Sequence, residues 1–277
     1  MQYALVSDQR REPFPRGKGN CDICGAETLA KCGEKVIWHW AHKGRQSCDP
    51  WWENETEWHR AWKAEFPESY REVSFRCQET GETHRADIIS ERGLVVEVQN
   101  SPINLEELRS REAFYKNLVW VVNGAKFRTR FDIAPALLPD PDAPGFDDIV
   151  FFGSGAIAGK AFWRKSENPE ALDRPGQLVR LRRAQEIEPS IQANYVGHHP
   201  FHWTRPHIAW LEAECPVLFD FGEEFLWRLE NYRDQFRCVR AISKRKFVQD
   251  VMVEANATDI ATRFYPIENN IHKEGAL

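Results

Sequence analysis

The stretch Arg85-Ala-Asp87-Ile-Ile-Ser-Glu91-Arg-Gly93-Leu-Val-Val-Glu97-Val-Gln99-Asn-Ser101 sets two short apolar runs on either side of Glu91-Arg92-Gly93. Runs rich in Ile and Val, bounded by a Gly-containing turn, read as a β-hairpin. Gly93 fits the left-handed position of a three-residue loop. Such a loop pairs Ser90 with Leu94, so Asp87 falls opposite Glu97. Directly opposed residues carry their Cβ atoms about 5 Å apart on one face. Gln99 shares that face, about 7 Å further along its strand.

Glu97 interrupts the apolar run Leu94–Val98. A charge in a buried strand is costly unless it is paired or bound to metal, and an opposed carboxylate adds repulsion. A divalent cation resolves both problems, and an all-oxygen set suits Mg2+ or Mn2+. From spacing alone the alternatives are a solvated acidic face, or a carboxylate paired with Arg85 or Arg111.

Working outward, Glu72 to Gln78 reads as a strand. Residues 53–66 read as a helix, with Trp58, Ala61, Trp62 and Phe66 on one apolar stripe. Beside that stripe lie Glu55, His59 and Lys63 at i, i+4 and i+8, a polar row that is either solvated or turned toward the metal. Downstream, Asn104 can cap a helix to Leu118, with Glu107 placed as in a capping box. Val119 to Val122 then reads as a buried strand, completing a β-α-β crossover.

Upstream, Cys21-Asp-Ile-Cys24 is a C-x2-C pair followed by His39, His42 and Cys48. A C-x2-C turn converges two thiolates on one metal, and a structural zinc needs four N/S ligands. In an extended segment His39 and His42 face opposite ways, so one of them ligates. The expected set is Cys21, Cys24, His42 and Cys48, with His39 as the alternative. Lys35 to Trp40 carries strand signals. Cys32, Cys77, Cys215 and Cys238 read as spare or core thiols.

A chain of 277 residues corresponds to about two domains. With 42% hydrophobic and 29% charged residues it can bury a core, which excludes wholesale disorder. No apolar run approaches the roughly 20 residues of a membrane span. Met1 to Lys18 has no apolar signal-peptide core, and seven cysteines, an odd count, argue against a disulfide framework. The expectation is a reduced, cytoplasmic protein with no membrane partner. A net charge of −5 excludes coating nucleic acid by bulk charge, but not a local basic groove.

Leu138 to Gly145 reads as a linker. Beyond it Ile149 to Phe152 and Pro216 to Phe221 read as strands, Glu223 to Phe236 as a helix and Arg237 to Ile242 as a strand. His198, His199, His202 and His207 lack partners at ligand spacing. Arg180, Arg182, Arg183 and Lys244 to Lys246 are solvated faces or phosphate contacts.

Together, Cys21-x2-Cys24, His39-Trp-Ala-His42, Cys48, Glu53-Asn-Glu55-Thr56 with His59 and Lys63, Asp87, Glu97-Val-Gln99-Asn-Ser101-Pro-Ile and Arg111-x3-Tyr115 before Val119-Trp-Val-Val122 resemble the competence protein CoiA-like nuclease family. That family is a branch of the PD-(D/E)xK phosphodiesterases. The resemblance covers about residues 21–124. It implies an α/β (α+β) fold with a zinc-binding module (1–52) and a restriction-endonuclease-like core with a mixed sheet flanked by helices (53–131); beyond it the sequence itself reads as a linker (132–148) and a small α/β accessory domain (149–277). It implies Mg2+ or Mn2+ on Asp87, Glu97 and Glu55, and structural Zn2+ on the Cys/His set. Gln99 replaces the usual lysine of the motif, and Gln can orient water but cannot supply charge. Lys63 or His59 is the candidate to supply it.

Ser101, Arg111 and Tyr115 are implied as supporting residues. Arg111 and Tyr115 either order Glu97 and Gln99 or contact the DNA backbone, with a structural ion pair as the other reading. The expected function is Mg2+-dependent DNA cleavage in uptake, recombination or defence, with a DNA-processing protein as a possible partner and RNA not excluded as substrate. The alternative is a weak or inactive nuclease-fold module that binds nucleic acid or a partner protein.

Overall fold

The computed structural model describes residues 1–44, 48–51, 54–77, 80–171, 176–253 and positions 256, 257 and 260. Glu53, in the expected helix and motif, and Gln78, in the expected strand, lie outside the described residues. The chain forms two compact units. One comprises Met1–Val122, Ile208–Pro216 and Val248–Ala261; the other holds Asn123–His207 and Val217–Phe247. The first division falls after Val122, ahead of the expected boundaries at 131 and 149, and two later segments return to the first unit. Glu112 and Trp120 are one physical reason for that return. The Glu112 carboxylate accepts from the backbone N–H groups of Glu214 and Cys215, and Trp120 N donates to the Pro216 carbonyl.

The first unit opens with an antiparallel sheet of β1 (Ala4–Val6), β2 (Gln9–Arg11), β3 (Lys18–Asn20), β4 (Glu27–Lys31) and β5 (His39–His42), in the order β2-β1-β3-β4-β5. Its small core packs Trp40 against Met1, Ala4 and Cys21. The expected strand at Lys35 begins instead at His39. Helix α1 (Glu57–Ala64) is shorter than expected because Thr56 caps it, accepting from His59 N while the His59 ring accepts from Thr56 N. This is a capping box with histidine in the usual Glu/Gln position.

Strands β6 (Arg71–Arg76), β7 (Thr83–Ile89) and β8 (Val95–Gln99) follow. Helix α2 (Leu105–Tyr115) then leads to β9 (Leu118–Asn123), parallel to β8. The four strands run in the order β9-β8-β7-β6, a mixed sheet accompanied by helices. Every residue of β8 is buried, Glu97 and Gln99 included, as befits an inner strand paired to β7 on one edge and β9 on the other. Ile88 pairs with Val96 and Ile89 with Val95, Ser90 N donates to Leu94 O, and Gly93 has φ +81°. The hairpin therefore has the loop and register read from its sequence. Asn104 caps α2 by accepting from Glu107 N, but the Glu107 side chain bonds Arg111 instead of closing a capping box.

The second unit contains β10 (Phe131–Ile133), β11 (Leu138–Pro139), β12 (Ile149–Phe151), β13 (Ala161–Arg164), β14 (Arg182–Arg183), α3 (Glu188–Ala193) and β15 (Tyr195–Trp203). Helix α4 (Ile208–Leu211) belongs to the first unit. Then come β16 (Val217–Asp220), β17 (Phe225–Tyr232), β18 (Phe236–Ser243) and α5 (Lys244–Val253). Strands β10, β15, β18, β17 and β16 form an antiparallel array in that order, and β12, β13 and β14 form a separate small sheet. The helix expected over Glu223–Phe236 is a strand, β17. Its apolar residues at 226, 229 and 232 mimic helical spacing, but β17 is paired on both edges, to β16 and β18, and this tertiary pairing decides its conformation. Part of the expected linker, Leu138–Pro139, pairs with β15 as β11. Among the described residues no helix is long and apolar enough to cross a membrane.

Candidate functional site

Two constellations stand in the first unit. In the N-terminal sheet, Cys21, Cys24, His42 and Cys48 bring their ligand atoms within 4.8 Å of one another. Cys21 Sγ lies 3.6 Å from Cys48 Sγ, Cys24 Sγ 3.4 Å from His42 Nε2, and Cys48 Sγ 3.6 Å from His42 Nε2. A tetrahedral zinc with bonds of about 2.3 Å to sulfur and about 2.0 Å to nitrogen has ligand–ligand edges of roughly 3.5–3.8 Å. The set therefore has the dimensions of a structural metal site such as zinc, and its sulfurs are too far apart for a disulfide. His39 is turned away, its Nδ1 bonding the Ile37 carbonyl 2.8 Å off.

Partial burial and the charge of Arg85 lower the His42 pKa, keeping its ring neutral and fit to ligate. Arg85 also places Nη2 3.8 Å from Cys21 Sγ and pairs with Asp22, which accepts from Ser74 Oγ at 2.7 Å. The C-x2-C turn is thereby fastened to β6 and β7.

The second constellation is a cleft of about 70 Å³, room for a cation and several waters. Asp87 and Glu97 face each other across the hairpin. Asp87 N donates to Glu97 Oε1 at 3.3 Å, and Val98 N donates to Asp87 Oδ2 at 3.0 Å. Glu97 is buried and its Oε2 accepts from Arg111 Nη1 at 3.0 Å. Burial and the neighbouring Asp87 push the Glu97 carboxyl up to about 8. Burial likewise raises the Asp87 carboxyl, against the pull of Lys63. A cation between them would reverse both shifts.

From the α1 side come Glu55, His59 and Lys63, all lining the cleft. Lys63 is 3% exposed; its ammonium pairs with Glu55, lies 2.8 Å from Glu72 Oε1 and 4.0 Å from Asp87 Oδ1. Burial opposes that charge, but Glu72, Asp87 and Glu55 raise the Lys63 pKa above its ordinary value. Glu55 also accepts from Arg60 Nε at 2.9 Å. Because His59 Nδ1 accepts from Thr56 N, the neutral ring carries its proton on Nε2. Gln99 lines the cleft but turns its amide to the Ser101 carbonyl, 3.1 Å away. Ser101 and Tyr115 do not line it. The Tyr115 hydroxyl is buried without a hydrogen bond among the described residues, so it does not order Glu97 or Gln99 through one.

Asp49, Trp51, Glu72 and Arg85 also line the cleft and were not picked out in the sequence as site residues. Asp49 accepts from Arg85 N at 2.9 Å and pairs with His84 at 3.0 Å, and the Trp51 ring stacks on His84. Only the position of Asp49 beside Cys48 hinted at such a role. The cleft wall thus gathers the carboxylates of Asp49, Glu55, Glu72, Asp87 and Glu97 around the side-chain cations Lys63, Arg85 and Arg111.

His198, Glu230 and Cys238 in the second unit also lie within metal-ligand reach of one another. There Glu230 is already paired with Arg228 at 3.1 Å and Arg240 at 2.9 Å, so its charge is compensated without a metal. Of the basic groups read in the sequence, Arg182 is paired with Glu167 and Glu186. Compared with protein-family models, curated proteins and solved structures, the chain matches none.

Proposed function

We propose that the protein is a metal-dependent nuclease that hydrolyses phosphodiester bonds in DNA, with Asp87 and Glu97 as the Mg2+ or Mn2+ ligands and Glu55 assisting. The observation that carries this reading is the opposition of two carboxylates across the hairpin, Glu97 buried and Asp87 partly buried, both with raised pKa values, Lys63 standing 4.0 Å from Asp87. Bound there, Mg2+ would supply a Lewis acid for a phosphate oxygen and a water of lowered pKa.

The protein's own groups do the rest. Asp87 and Glu97 hold the cation, and Arg111 fixes the rotamer of Glu97. Lys63 supplies the positive charge toward phosphate that Gln99 lacks, and His59 offers an Nε2 proton at the cleft wall. Zinc on Cys21, Cys24, His42 and Cys48 holds the N-terminal sheet. The grouping of Asp87, Glu97, Glu55, His59 and Lys63 around one cleft supports this reading, as the resemblance of their motifs to CoiA-like PD-(D/E)xK proteins does.

A second reading, a module that binds nucleic acid or a partner protein without cutting, is favoured by two features. Gln99 is committed to Ser101, and Glu97 is already neutralised by Arg111. A panel of linear, nicked, branched and single-stranded DNA with Mg2+ or Mn2+, and RNA alongside, separates the two. Product from at least one DNA supports the nuclease. Metal-dependent binding with no product supports the module, and product from RNA alone moves the substrate class.

A further inference from the structure

Glu72 lies on β6, in a strand that carries no catalytic motif, yet its carboxylate faces the cleft. Both oxygens are committed: Oε1 accepts from Lys63 Nζ at 2.8 Å and Oε2 accepts from Gln2 N at 2.7 Å. Its backbone holds φ at +47°, a left-handed conformation uncommon for a residue other than glycine. Charge balance does not by itself require Glu72, because Lys63 is also paired with Glu55. What Glu72 adds is location. Without it the ammonium could settle wholly on Glu55; with it, the ammonium is held within 4.0 Å of Asp87.

We propose that Glu72 is a positioning residue for Lys63, fixing the ammonium beside Asp87 where a phosphate oxygen of the substrate would lie. This rests on the nuclease reading above and deepens it: Lys63 is the catalytic cation and Glu72 acts only through it. The strained β6 backbone and the bond from Gln2 keep the carboxylate in place, so that the lysine on α1 performs the charge role Gln99 cannot.

The test uses the full-length protein and plasmid DNA with Mn2+. Glu72→Gln keeps the size and the acceptor for Gln2 N but removes the charge that holds Lys63. The expected result is a kcat lowered by about tenfold to a hundredfold, the scale of a misplaced catalytic group. KM for DNA and Mn2+ stoichiometry should stay unchanged. The double variant Glu72→Gln/Lys63→Met should be no slower than Lys63→Met alone, whereas a purely structural role would lower stability and make the two losses multiply. If Glu72→Gln does not fold, Glu72→Asp, which keeps the charge but withdraws it, should show the same kcat-specific loss. Wild-type kcat in the folded Gln or Asp variant, or multiplying losses, overturns the role of Glu72 while leaving the nuclease reading intact. Absence of cleavage by the wild-type protein overturns both.

Discussion

Arg111 joins Glu97 to the backbone of Trp51: Nη1 donates to Glu97 Oε2 at 3.0 Å and Nη2 to the Trp51 carbonyl at 2.8 Å. Trp51 follows Cys48 by three residues, and Asp49 between them holds the N–H of Arg85 on β7. The short segment from the Cys/His cluster is therefore built into the wall of the cleft. With zinc in the cluster, removing it loosens the hairpin carboxylates as well as the N-terminal sheet.

Cys48→Ser should thus bind less zinc and melt lower by roughly 10 °C or more, given the several kcal/mol that a structural zinc supplies. It should also take up Mn2+ at the cleft more weakly. Metal analysis by mass spectrometry, thermal melting and a Mn2+ titration check the three parts. Full zinc content with an unshifted melt would contradict the assignment of Cys48.

Arg111→Met leaves Glu97 without its cationic partner at a site where both side chains are nearly inaccessible. Breaking one half of a buried pair costs on the order of 3–5 kcal/mol in general. The expected loss of stability in urea is about 3 kcal/mol without divalent cation and less with Mn2+, which would take over the neutralisation of Glu97. A loss that ignores Mn2+ would argue against a cation beside Glu97.

Stability at acid pH should carry the signature of Glu230 in the second unit. Burial alone would raise its pKa, but the bond from His198 and the charges of Arg228 and Arg240 bring it below the ordinary value of 4.5. Cys238 is the other titratable group facing it. A depressed carboxyl contributes stability that is present above the unfolded value and is lost as pH falls through the folded one. Wild-type protein should therefore lose urea resistance on going from about pH 5 to pH 3 more steeply than Glu230→Gln. Parallel curves for the two proteins would show that the network adds nothing at pH 5.

Several parts of the site were legible in the sequence because their geometry is local. Gly93 fixes a loop length, the loop fixes a register, and the register places Asp87 opposite Glu97. The alternation along β5 separates His42 from His39 in the same way. What was not legible depends on contacts distant in the chain. Glu72 meets Lys63 and Gln2 through the packing of β6 against α1 and the N-terminal strands, and no local pattern marks it. Asp49 and Trp51 acquire their partners only when the segment after Cys48 crosses to β7 and α2. The strand β17 was misread because residues buried on both faces lose the alternation that identifies a half-exposed strand.

The most direct measurement of the central claim is Mn2+- or Mg2+-dependent cleavage of DNA by purified wild-type, Asp87→Ala and Glu97→Ala proteins, each verified as folded by circular dichroism. The wild-type protein should cleave, and both variants should lose at least about a hundredfold, the scale of losing a metal ligand or a main electrostatic stabiliser. Undiminished cleavage by both folded variants would contradict that claim.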